Sequence, residues 1–275
     1  MQVKIDDDFN LAKIANSGQC FRPKEIQPGL FRFVTGEHFL YIREVSEKIF
    51  DVSCGSDEWQ NIWRKYFDLN TNYFGIRNAV KKFAEKKSCE KFLNAATDFG
   101  EGIRILRQDP FEMLISFIIS QRKNIPAIRK SVESLCERFG REVKTEREKI
   151  FLFPTAESFC GVTLDNLRGL GLAYRDAYVK DAVEKINSHE IELDKLKKFS
   201  DLELVDELKK IRGVGDKVAN CVALFAYHRV DSVPIDVWIK RAMEEDFDGE
   251  NIFVEFGKNA GILQQYIFFF KRTNK

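Results

Sequence analysis

The chain has 275 residues, 44% of them hydrophobic and 32% charged, and 44 Lys and Arg against 43 Asp and Glu leave a formal charge of +1. That is the composition of a folded globular protein with one large domain or two or three small ones, outside the disordered range. A net charge this close to zero excludes recruitment of polyanions by a global field, so any contact with nucleic acid has to come from local groups.

No run of 18 apolar residues offers a membrane span, and the N-terminal MQVKIDDDFN has neither signal nor transit character. A soluble protein with no membrane partner is expected, cytoplasmic at the nucleoid if the source is prokaryotic. The six cysteines, Cys20, Cys54, Cys89, Cys136, Cys160 and Cys221, are nowhere closer than 24 residues. That spacing fits neither a zinc nor an iron–sulfur site, and we expect reduced, mostly buried thiols and no metal centre. His38, His189 and His228 share no motif, which makes a Ser–His triad or a histidine metal site a poor reading.

In chain order, residues 1 to about 55 read as an antiparallel sheet. GLFRFVTGEHFLYIREV holds two alternating apolar runs around the turn Thr35-Gly36-Glu37. At Ser56 the period changes: Trp59, Ile62, Trp63 and Phe67 recur at helical intervals, with Ser56 as the expected cap. After about residue 100 nearly everything reads as helix. Asp109-Pro110-Phe111-Glu112 opens a segment apolar all round, FEMLISFIISQ, which should be buried. NIPAIRKSVESLCERFG ends at Gly140, LAYRDAYVKDAVEKI is amphipathic, and Ser200 with Glu203 forms a capping box ahead of LELVDELKKI. The fold class is α+β: a small N-terminal antiparallel sheet domain with flanking helices, residues 1–100, packed on a larger all-helical, two-lobed part, residues 101–275.

The informative stretch is LKKIRGVGDKVANCVALFAYHRVDSVPIDVWIKR, residues 208–241. Two helices flank Gly213-Val214-Gly215, and glycines two apart permit left-handed turns. The second helix starts at about Asp216, its first amides unpaired, and such a turn binds phosphate without net positive charge. A G-x-G alone would be a plain helix corner. Here Ile211, Val214 and Ala219 add apolar or small residues where a tight hairpin needs them.

IRGVGDKVA resembles the helix-hairpin-helix motif, and VPIDVWIKR resembles the Gly/Pro…Asp element of the same DNA glycosylase superfamily. SGQCFR (17–22), LRQDPFEMLISFI (106–118) and LAYRDAYV (172–179) are similar to segments of 8-oxoguanine DNA glycosylases of the Ogg type. The resemblance implies a bifunctional N-glycosylase and abasic-site lyase of base excision repair. Its partner is duplex DNA containing oxidised guanine, and it acts as a monomer. No organic cofactor is implied, and a monovalent cation at the hairpin carbonyls is implied by the resemblance alone.

Residue by residue, the resemblance implies that Lys217 is the nucleophile and Asp236 its catalytic carboxylate. From its position alone Asp236 is also a helix N-cap, and an aspartate held by helix amides should stay ionised. Cys221, one turn after Lys217, and Phe268, one turn after Gln264, read on their own as core stripes. By resemblance Cys221 and Phe268 sandwich a flipped base, Gln264 reads its Watson–Crick edge and Gly18 accepts the N7 hydrogen that only oxidised guanine carries. Tyr174 and Arg175, otherwise an exposed helix start, resemble the wedge and the opposite-base contact. By resemblance, the family's asparagine-rich turn after the buried helix appears here as Arg122-Lys123-Asn124.

Three positions depart from the family pattern. Arg122 stands for an asparagine at the estranged cytosine, Ala127 for a cytosine-reading arginine, and Trp238 for a histidine near a phosphate. Relaxed opposite-base specificity is therefore expected. Two other readings compete. An alkylbase or oxidised-pyrimidine glycosylase of the superfamily would lack Lys217 or carry a C-terminal cysteine cluster. A non-catalytic helix-hairpin-helix module would need neither Lys217 nor Asp236.

Overall fold

The structure, a computed structural model, describes residues 1–274. Strands β1 (Gln2–Lys4), β2 (Lys24–Gln27), β3 (Leu30–Thr35), β4 (His38–Ser46) and β5 (Ile49–Val52) form one antiparallel sheet in the order β1-β5-β4-β3-β2. The expected hairpin is present: Thr35 pairs with His38, leaving Gly36-Glu37 as a two-residue loop with Gly36 at φ +52°, the positive dihedral such loops require. One face of the sheet packs Phe31, Phe33, Leu40 and Ile42 on Trp59 and Trp63 of the helical segment 56–66 and on Phe67, its C-cap. Ser56 does not cap that segment; Gly55 occupies the N-cap and Ser56 is the first helical residue. A π-helical turn over Trp59–Trp63 adjusts the indole spacing, and Glu58 accepts the Trp63 indole N–H at 2.9 Å.

The longer helices are α1 (Leu11–Asn16), α2 (Tyr73–Ala84), α3 (Glu90–Phe99), α4 (Pro110–Ser120), α5 (Ile125–Phe139), α6 (Asp176–Asn187), α7 (Asp201–Leu208), α8 (Asp216–Phe225), α9 (Val237–Glu245), α10 (Ile252–Phe256) and α11 (Ala260–Thr273). The Asp109 carboxylate accepts the Glu112 amide at 2.8 Å. From Glu112 to Ser120 every residue of α4 is buried, as an all-round apolar helix must be. It is the axis of the largest core, shared with α5, α6, α7 and α8. The cores cut across residue 100: α2 and α3 share theirs with α9, α10 and α11 rather than with the sheet.

The part after residue 100 is not all helical. Strands β6 (Glu142–Lys144) and β7 (Lys149–Phe151) form a two-stranded ribbon, and Ile150 and Leu152 cover Leu30, Val34 and Tyr41 on the second face of the sheet. Three-residue strands are too short for a period to show. The Thr145 hydroxyl, which accepts the amides of Arg147 and Glu148 at 3.1 and 3.0 Å, closes the turn.

Two of the sequence motifs lock together. The Gln19 side chain donates to Arg104 O at 2.8 Å and accepts the Leu106 amide at 2.8 Å. In return the Gln108 side chain donates to Gln19 O at 2.9 Å. SGQCFR is thus held against the lead-in to α4, with Gly18 at the open end of the joint.

Candidate active site

The hairpin begins with the expected cap: Ser200 N–H donates to Glu203 Oε2 at 2.8 Å, and the Glu203 amide returns to the Ser200 hydroxyl at 3.4 Å. Between α7 and α8, Gly213 is left-handed at φ +81°, and a Cβ there would run into the Tyr178 ring of α6. Val214 is buried and donates its amide to Ile211 O at 3.0 Å. Gly215 departs from the expectation, being extended (φ −102°, ψ −175°) rather than left-handed, as the N-cap of α8. Neither its backbone conformation nor its packing demands a glycine, since nothing lies within 4 Å of where a Cβ would point and that direction is open. The first helix-bonded amide of α8 is that of Ala219, to Gly215 O. The amides before it face the open side, the geometry of an anion site.

Lys217, in the first turn of α8, is half-buried, with its ammonium 5.3 Å from the Phe117 ring centroid of α4. The buried thiol of Cys221 lies one turn later on the same helix. Burial pushes that thiol up to about 11, with Lys217 opposing and Asp236 reinforcing the shift. Asp236 is the N-cap of α9, accepting the amides of Trp238 and Ile239, each at 3.0 Å. Its carboxyl lies above the ordinary aspartate value. Burial raises it, and the Ile239 amide, the Lys217 charge and the Trp238 amide recover only part of the shift. Helix amides alone would keep the carboxyl firmly ionised; the burial that opposes them is a property of the packed fold, not of the local sequence. Asp236 is a more basic carboxylate than a surface N-cap.

The third wall comes from residues 17–18 and α11. Gly18 is left-handed at φ +87°, with a Cβ direction that meets Phe268 Cε1 at 2.9 Å, Arg272 Nη1 at 2.8 Å and Ile125 Cδ1 at 3.3 Å. The Gln265 side chain donates to Ser17 O at 2.7 Å and fixes that loop on α11. Gln264 is buried and its Oε1 has no hydrogen-bond partner. Phe268 is half-buried, and the Arg272 guanidinium lies 5.3 Å from its ring centroid. Arg272 is a residue the sequence reading passed over, although Gln264, Phe268 and Arg272 continue one stripe at intervals of four. The Asp236 charge acts on Arg272 as well as sensing Lys217, which ties the α8, α9 and α11 walls into one site.

A second cluster lies where α4 turns into α5. Arg122 is exposed and left-handed at φ +50°. Asn124 is the N-cap of α5, its side chain accepting the Ala127 amide at 2.9 Å. Tyr174 is 49% exposed with its edge toward Tyr178, centroids 5.7 Å apart. Arg175 is not at an exposed helix start. It is 4% exposed, and its guanidinium donates to Gln121 O, through Nε at 2.8 Å and through Nη2, and to Leu172 O at 3.1 Å. As folded, Arg175 clasps the two loops together. Trp238 is half-buried with the Arg241 guanidinium 5.1 Å from its ring centroid.

Comparison with known proteins follows this geometry. The 8-oxoguanine DNA glycosylase N-terminal domain matches residues 2–114, and the HhH-GPD superfamily of base excision DNA repair proteins matches residues 115–251. An N-glycosylase/DNA lyase of Saccharomyces cerevisiae is 37% identical over 159 residues, a segment covering 54% of this chain and 42% of the yeast protein. Among solved structures, MBOgg1 in complex with a low-affinity DNA ligand superposes with TM-score 0.92 at 34% identity, covering 99% of this chain and 95% of that one. The 8-oxoguanine glycosylase/lyase of Clostridium acetobutylicum, with double-stranded DNA containing cytosine opposite 8-oxoG, gives 0.88 at 31% identity, covering 100% and 98%. Among the described residues no helix is long and apolar enough to cross a membrane. The chain belongs to the HhH-GPD superfamily of base excision DNA repair proteins, with the N-terminal domain of the 8-oxoguanine DNA glycosylases in front of it.

Proposed function

We propose that the chain excises 8-oxoguanine from duplex DNA and nicks the strand at the resulting site, as a monomer. The observation that carries this reading is the joint position of Lys217 and Asp236, within electrostatic reach of each other, on a site walled by Cys221, Gly18 and Phe268. The Lys217 nitrogen bonds to C1′ as the glycosidic bond breaks and the base leaves with its electron pair. Loss of the amine proton and opening of the sugar ring give an imine. Removal of a C2′ proton then expels the 3′ phosphate with the C3′–O pair. The half-buried Asp236 carboxylate stabilises cationic character at the sugar as the base leaves, and its raised basicity suits it to take up the amine proton. The flipped base sits between Cys221 and Phe268, with Gln264, whose buried Oε1 has no protein partner, on its Watson–Crick edge and Gly18 O on N7–H.

Around it, the amides of Gly213, Gly215 and the start of α8 take a phosphate, with Val214, its own amide bonded to Ile211 O, shaping the turn between them. Tyr174 fills the gap in the stack. Asn124, Arg122, Ala127, Arg175 and Trp238 line the strand-facing surface. Arg175 is committed to main-chain carbonyls and Ala127 has no side-chain donor, so the estranged base meets few readers and opposite-base preference is relaxed. Lysine and water suffice for the chemistry without an organic cofactor. The hairpin carbonyls, Ile211 among them, are the donors for a monovalent cation. Borohydride trapping on 8-oxoguanine duplex tests the reading. Wild type should form the covalent adduct, while Lys217→Gln should lose trapping, excision and nicking yet bind the duplex within about threefold. Trapping by Lys217→Gln would refute the assignment.

A further inference from the structure

Arg272 continues the Gln264–Phe268 stripe of α11, and its surroundings do not explain it as a surface residue. Its Nη2 donates to Asn16 O, while Nη1 is buried with no acceptor. That orphan nitrogen lies 2.8 Å from the Cβ direction of Gly18. The guanidinium stands over two α11 rings, 5.3 Å from the centroid of Phe268 and 5.5 Å from that of Phe269. The rings favour the cation electrostatically but supply no oxygen or nitrogen acceptor for Nη1, and a buried charged donor left without one is costly. Burial and the nearby Arg129 both disfavour the charge, with Asp236 partly offsetting them. Other guanidinium nitrogens, Arg22 Nη1 and Arg32 Nε among them, also lack a partner, but Arg272 Nη1 is the one beside Gly18 and Phe268, where an acceptor on an entering base would satisfy it.

We propose that Arg272 is a further specificity-determining residue, its Nη1 donating to the C8 oxygen of the flipped 8-oxoguanine. The inference rests on the proposed base pocket. If Gly18 O receives N7–H, the neighbouring atom on that edge of the base is the C8 oxygen, and the donor beside Gly18 is Arg272 Nη1. Guanine carries C8–H there, which would leave Nη1 unpaired and Gly18 O facing a bare N7. Two adjacent groups would then discriminate the same lesion, one through its added proton and one through its added oxygen. A site built to hydrogen-bond a substrate group rejects the analogue lacking it far better than a merely shaped site.

The test separates a contact to the C8 oxygen from mere support of the Gly18 loop. Single-turnover excision is measured for 8-oxoguanine and for 8-thioguanine, which keeps N7–H but offers sulfur, a poor acceptor, at C8. Arg272→Ala is expected to slow 8-oxoguanine excision 10- to 100-fold and 8-thioguanine excision less than about 3-fold, with binding to a tetrahydrofuran abasic duplex unchanged. Arg272→Lys, which keeps a cationic donor, should retain part of the preference for oxygen. Equal slowing of both bases would make Arg272 a loop support, and faster excision would make it an obstacle. Either result, or no change, overturns the proposal. Failure of wild type to excise 8-oxoguanine at all would instead overturn the function on which it rests.

Discussion

Gly18→Ala puts two separable penalties on one residue. At φ +87° an alanine pays the left-handed penalty of about 1–2 kcal/mol. Its methyl would also stand 2.9 Å from Phe268 Cε1 and 2.8 Å from Arg272 Nη1. The arginine end is long but tethered to Asn16 O, so the ring has to give by several tenths of an ångström, into the proposed base seat. Gly29→Ala isolates the first penalty: its φ is +73° with nothing within 4 Å of the Cβ position. At roughly 2–4 °C per kcal/mol for a chain of this size, Gly29→Ala should melt about 2–8 °C lower and Gly18→Ala, carrying the clash as well, lower still. Only Gly18→Ala should slow single-turnover excision, on the order of 10- to 100-fold, the scale of a small misplacement at a reacting centre. Equal excision rates in the two alanine variants would mean that Gly18 lines no pocket.

Asp236→Asn keeps the cap acceptor, so its melting temperature should stay within about 2 °C of wild type while excision falls at least 100-fold. Because the Asp236 carboxyl is raised, the acidic limb of the wild-type rate–pH profile should lie above that of an ordinary aspartate and vanish in the variant. Glu112, buried in α4 and pushed up to about 8 by that burial, is protonated in the folded state and ionised in the unfolded state between about pH 4.5 and 8. Stability should therefore be present below that window and be lost across it at up to about 1.4 kcal/mol per pH unit. Melts of Glu112→Gln from pH 5 to 9 should lack that slope; an unchanged slope would place it elsewhere. For the opposite base, single-turnover rates on 8-oxoguanine facing each of the four bases should spread little, and Ala127→Arg with Arg122→Asn should widen the spread toward cytosine by about 1–3 kcal/mol. Wild-type activity confined to cytosine would show that other residues read it.

What the sequence made legible is what neighbours in the chain decide. The Asp109 and Ser200 caps, the Gly36-Glu37 loop and the buried α4 all follow from patterns within a few residues, and all appear in the fold. Long-range packing hid the rest. Arg175 looks like a charged residue at an exposed helix start, and only the carbonyl of Gln121, 54 positions away, reveals its burial. The basicity of Asp236 depends on what α8 and α9 exclude from water, which no local pattern records. The β6–β7 ribbon is defined by the second face of a sheet formed a hundred residues earlier. Gly215 shows a subtler limit: the sequence marks it as glycine, and neither its conformation nor its packing supplies the reason.

The near-neutral charge also reads differently once the arginines are located. Arg22, Arg32, Arg77, Arg104 and Arg175 are all buried. Arg104 alone donates to the main-chain carbonyls of Phe67, Asp68, Thr71 and Asp8. These cations hold loops by their oxygens, joining the sheet lobe to the helices, and contribute little to an outward field. Asp68 and Glu112 are buried as well, so burial leaves no cationic surplus on the surface and contact with a phosphate backbone falls to local groups. What remains is short-ranged and directional: the free amides at the head of α8, the glycine opening at Gly215 and an orphan guanidinium nitrogen beside Gly18. Groups of that kind act over a few ångströms. On the proposed function, such groups would tell a damaged nucleotide from a normal one by what enters the site.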